Sequence, residues 1–102
     1  MATLQELKSL MTDSDLQEKV SAALIISVQA VLDGTPTADQ QKYAAHVFSN
    51  PAGEMKKALM SVLAVNSTAT VAQITGATDT AIQTNVDGVI DTLSIAFNAG
   101  IV

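Results

Sequence analysis

The sequence has no cysteine and no arginine, only one tyrosine and two phenylalanines, and few charges of either sign. Without cysteine there is no disulfide scaffold, no thiolate-ligated zinc site and no thiol nucleophile. Five lysines stand against ten acids, for a net charge of -5. A nucleic-acid surface needs the opposite balance, so sequence-specific nucleic-acid binding is not expected. Scarce rings also argue against a stacking platform for single strands. The longest wholly apolar run, Ala22 to Ile26, is far short of the about 20 residues that span a bilayer. Glu6 and Lys8 interrupt the start before an apolar signal core can form. Neither a membrane span nor secretory export is expected.

What is present is an apolar chain of one domain's length. Hydrophobic residues make up 48% of the 102 positions and charged ones 15%, which excludes a disordered acidic tail. The charges are also unevenly spread. Residues 1–57 carry all five lysines and seven acids, whereas residues 58–102 carry only Asp79, Asp87 and Asp91. A domain this small keeps much of its surface exposed. The surface of the second half must therefore be largely neutral, as the middle of a protein interface is. Candidate contact residues are apolar side chains of that half: Ile101 and Val102 at the chain end, Phe97 on the last helix, and Val71 and Ile74 on a short turn.

Capping chemistry divides the chain into helices. Thr3-Leu4-Gln5-Glu6 fits a capping box, in which hydroxyl and carboxylate each satisfy an orphan N–H, and opens a helix to about Met11. Ser14-Asp15-Leu16-Gln17 reads as a second box, opening a long helix to Asp33 with Gly34 as its stop. Thr37-Ala38-Asp39-Gln40 opens a third, to about Ser49. Asn50-Pro51 reads as an N-cap followed by proline at the first helical position, where its missing N–H does no harm; that helix should reach Val65. Thr70-Val71-Ala72-Gln73 opens a single turn closed by Gly76, and Thr78 or Thr80 caps a last helix to about Phe97. A strand over Thr68–Thr75 is the weaker alternative there.

Periodicity distinguishes the two long helices. Ile82, Val86, Val89, Ile90, Leu93 and Phe97 form one stripe on the last helix, with Gln83, Asp87, Asp91 and Ser94 placed away from it. From Ala22 to Leu32 only Ser27 and Gln29 are polar. A helix apolar nearly all round is buried on more than one side, so this one should be central, or lend a face to a neighbouring subunit. The expectation is an all-α bundle of five to six helices around a central apolar helix at about 14–33, forming one domain over 1–102.

No constellation of reactive residues emerges. His46, the one histidine, sits among Ala44, Ala45, Val47 and Phe48 and reads as a partly buried packing residue. Asp87 and Asp91 share a helix face at i, i+4 but have no third ligand in sequence, and read as a solvated acidic face. Asp13-Ser14-Asp15 lacks the glycine and glutamate that a calcium loop requires. Residues 70–90 have the outline of a helix-turn-helix, yet the would-be recognition helix holds no lysine or arginine. Neither catalysis, nor a cofactor, nor a metal is expected.

The opening Met1-Ala2-Thr3-Leu4-Gln5-Glu6-Leu7, the Asn50-Pro51 step and the run from Leu63 to Ile74 resemble small helical virion structural proteins of tailed bacteriophages. The resemblance implies a non-enzymatic part present in many copies, made in the host cytoplasm and carried in the virion. Two positions fit: a head–tail adaptor forming a ring between portal and tail, and a decoration or cement protein on the capsid. The implied partners are further copies of the chain and other virion proteins, namely portal, tail or major capsid protein. Outside the phage setting, the alternative is a small regulatory helical module that binds one protein partner.

Overall fold

A computed structural model describes residues 1–100 and shows, among them, six helices and no strand: α1 (Leu4–Leu10), α2 (Ser14–Asp33), α3 (Ala38–Ser49), α4 (Pro51–Val65), α5 (Val71–Thr75) and α6 (Asp79–Asn98). Three capping boxes form in full. In each the threonine oxygen accepts from the backbone N–H three residues on, and the Glu or Gln side chain accepts from the threonine N–H: Thr3 with Glu6, Thr37 with Gln40, Thr70 with Gln73. Each satisfies two donors that a helix start otherwise leaves open. The strand alternative over Thr68–Thr75 does not occur.

The second cap differs from expectation. Asp13, one residue earlier, is the N-cap of α2, its carboxylate accepting from Leu16 N–H at 2.9 Å. Gln17 turns away from the cap and donates to the Met11 carbonyl at 2.8 Å, tying α2 to the preceding turn. Asn50 precedes Pro51 as expected but makes no side-chain cap bond. Gly34 and Gly76 do end their helices, though at φ -87° and -89° and not in the left-handed region. Gly76 is needed for space: a Cβ there would lie 2.9 Å from the Ala72 carbonyl oxygen. Thr78, not Thr80, caps α6.

The most extensive packing is between α2 and α6, with α4 against both and α3 closing the bundle. One apolar cluster runs through it, including Leu16, Val20 and Leu24 from α2, Val47 from α3, Leu59 and Val62 from α4, and Ile82 and Val86 from α6. Burial of each such side chain contributes about 1.5–3 kcal/mol against a large entropic cost. The radius of gyration, 13.5 Å, matches the about 13 Å of a compact 100-residue domain. The short helices α1 and α5 add Leu10 and Ile74 to this core. The Ala2 N–H donates to the Ala69 carbonyl at 2.7 Å and pins the start of the chain beside α5.

Two expectations need correction. The buried stripe of α6 is Ile82, Val86, Ile90 and Ser94, so Ser94 belongs to the core side, while Val89, Leu93 and Phe97 flank it half-buried. Central α2 is not enclosed: Ala22, Ile25, Ile26 and Ala30 face solvent, Ile26 at 57% exposure. Its three neighbours cover only part of its circumference.

Placing a carboxylate within the α6 stripe tests this packing. Ile90, 8% exposed, replaced by aspartate should cost several kcal/mol, enough to unfold a marginally stable domain. Far-UV circular dichroism should show loss of most helicity at room temperature; a retained melting temperature would remove α6 from the core.

Candidate functional site

Two polar nodes and a set of uncovered apolar side chains are the features that exceed simple packing. The first node centres on Glu54, which is 1% exposed. It lies on the same stripe of α4 as Met55, Ala58, Leu59, Val62 and Leu63, and so points inward. Its carboxylate has three partners: His46 Nε2 at 2.7 Å, Lys57 Nζ at 2.9 Å, and the Tyr43 hydroxyl, which donates at 3.3 Å. The ring of His46 stacks on Phe97 with centroids 4.4 Å apart, and Phe97 tilts against Tyr43 at 5.8 Å. One carboxylate thus joins α3 to α4, and one phenyl ring from α6 covers the junction. A buried charge is tolerated only when paired and hydrogen-bonded, and this one is. Burial and the nearby Glu54 carboxylate push the Tyr43 hydroxyl well above its usual value of 10.0.

The second node joins α2 to α6. Ser27, buried, donates to the Asp87 carboxylate. The Gln83 amide nitrogen lies 2.9 Å from Ser27 Oγ, 2.9 Å from Asp87 Oδ1 and 3.1 Å from the Ala23 carbonyl oxygen, its two hydrogens shared among these three acceptors. Asp87 is therefore more than part of a solvated face, although it stays exposed, as Asp91 does. Elsewhere, Lys19 donates to the Ala77 carbonyl at 3.1 Å, and Asn98 donates to the Asp39 carbonyl at 3.0 Å. Among the described residues, no three of His, Asp and Glu converge as a metal site, and no helix is long and apolar enough to cross a membrane.

The candidate contact residues separate on the structure. Ile74 is 3% exposed and packs in the core of its own chain. The cause is the short span of α5, whose one apolar side must close the bundle. Phe97 is half-buried against His46 and Tyr43. Val71 is half-buried and packs on the core beside the groove between α1 and α5. Ile101 and Val102 lie outside the described residues. The large apolar side chains that are uncovered are others: Met1 and Leu4 at the chain start, Ile25 and Ile26 on α2, Phe48 on α3, Met60 and Val65 on α4, and Ile95 on α6. They are not confined to the charge-poor half.

Composition does not single out Glu54, but spacing does: it lies one helical turn before Ala58 on the apolar stripe of α4. No protein-family model, curated protein or solved structure matches the chain significantly.

Two substitutions probe the first node. Glu54→Ala strips three polar groups of their partner and should cost about 3 kcal/mol in urea unfolding; a loss under about 1 kcal/mol would mean that His46 and Lys57 simply turn to water. The raised Tyr43 pKa means that the folded state holds this proton more tightly than the unfolded chain does. Stability should therefore fall as pH rises beyond about 10. Tyr43→Phe should flatten that alkaline limb in thermal melts followed by circular dichroism, whatever its baseline cost.

Proposed function

We propose that this chain is a non-enzymatic structural protein of a tailed-phage virion, working as a head–tail adaptor that forms a ring by self-assembly and contacts portal or tail proteins. The observation that carries this reading is the set of large apolar side chains left uncovered on long helices, Ile26 at 57%, Met60 at 60% and Ile95 at 69% exposure. Scattered single exposed aliphatics are ordinary on a monomer. Here they accompany a second half with only three charges in 45 residues, a surface with little to keep it from associating. The resemblance of the opening segment and of the Leu63–Ile74 run to small virion proteins supplies the setting. The net charge of -5 suits a ring through which DNA passes, because it repels phosphate and leaves the genome free to slide.

Sedimentation of the purified chain, alone and mixed with portal, tail and major capsid proteins, tests the reading. An adaptor should assemble alone or co-sediment with portal or tail, and should be present in a virion at one ring's worth of copies. Shell-wide stoichiometry would move it to the capsid surface as a decoration protein. A monomer that ignores every particle protein would overturn the structural reading.

A further inference from the structure

The exposed charges of the bundle are sorted by side. The outer faces of α2 and α6 carry Asp15, Glu18, Asp33, Asp79, Asp87 and Asp91, with Lys19 their one lysine. The faces of α3 and α4 carry Lys42, Lys56 and Lys57; of their two acids, Asp39 is exposed and Glu54 is buried and matched. Each side also has an uncovered apolar element. On the acidic side Ile26 shares a groove with Glu18, Lys19, Ala22, Ala23, Asp79 and Gln83; the Lys19 ammonium is held by the Ala77 carbonyl at 3.1 Å, and the two acids leave the groove net negative. On the basic side Lys56, Met60 and Ala64, at successive turns of α4, form an exposed ridge.

We propose that the Ile26 groove of one copy receives the Lys56–Met60–Ala64 ridge of a second copy, in a head-to-tail contact. The inference rests on the self-assembly reading above and names its surface. Apolar area seats the ridge, and charges of opposite sign at the rim set partner and register. The same charges disfavour the symmetric alternative, α2 against α2. Antiparallel pairing centred on Ile25 and Ile26 puts Glu18 opposite Asp33, and parallel pairing puts each acid opposite its own copy. Both set like charges together, and Lys19, beside Glu18, has its ammonium engaged by the Ala77 carbonyl of its own chain. A contact using two different patches can repeat, and closes into a ring when the rotation between copies allows.

Ile26→Lys and Met60→Glu test this contact. Each charge agrees with its own side of the molecule, the new glutamate standing one turn from Lys56, so helicity and melting temperature should stay at the native level. Across the contact each meets like charge, and sedimentation equilibrium should show self-association weakened by at least about tenfold. An equimolar mixture should recover association, since the intact ridge of one variant fits the intact groove of the other. A native chain that assembles while either variant assembles equally well, or a mixture that recovers nothing, overturns this contact and leaves self-assembly standing. A native chain that stays monomeric at high concentration overturns the contact; the adaptor reading then stands or falls by co-sedimentation with portal and tail.

Discussion

The α2 segment from Ala22 to Leu32 is apolar on nearly every side, and its own chain covers only part of it. Helix α2 packs against α6, α4 and α3, and those neighbours take the sides bearing Leu24, Val28, Ala23 and Ser27, leaving Ile25 and Ile26 uncovered. The shortfall follows from size and composition. Small domains expose a large fraction of their surface, and the remaining elements, α1 and α5, are too short to wrap a helix about 30 Å long. Any further burial for α2 is the role that the proposed assembly gives to a second molecule.

Within the chain, orientation is set by polar contacts as much as by apolar ones. Aliphatic helices faced with alanine can slide past one another at little cost, since many registers bury similar area. The Glu54 cluster and the Ser27–Gln83–Asp87 cluster allow no such freedom. A displacement of one turn would leave a buried carboxylate or hydroxyl without partners, a loss of kilocalories, not tenths. The first cluster locks α3 on α4 with α6 across them, and the second locks α2 on α6. Together they cover the pairings that determine which faces remain outside.

That outer surface is the functional content of the molecule as proposed. Six acids fall on α2 and α6 against one lysine, and three lysines on α3 and α4 against one exposed acid, Asp39, so the four packed helices form two unlike sides, each with apolar side chains among its charges. This division by side is independent of the charge asymmetry along the chain, because α2 and α6 lie far apart in sequence and together in space.

Local chemistry was readable in the amino-acid order. Thr3, Thr37, Thr70 and Thr78 start their helices where expected, Gly34 and Gly76 end theirs, and the Ile82–Val86–Ile90 period reveals the inward side of α6. All these depend on residues within one or two turns of each other. The exceptions are close choices between neighbours, such as Asp13 over Ser14 as the cap of α2. What sequence could not reveal depends on distant partners. Periodicity makes α2 apolar nearly all round from Ala22 to Leu32, but only the placement of α3, α4 and α6 decides that Ile26 is outside and Val28 inside. Composition makes Phe97 and Ile74 look free to meet a partner, whereas His46, Tyr43 and the bundle core claim them first. Hydrogen bonds across one helical turn are encoded where they form; a surface exists only after every helix has taken what it needs from the others.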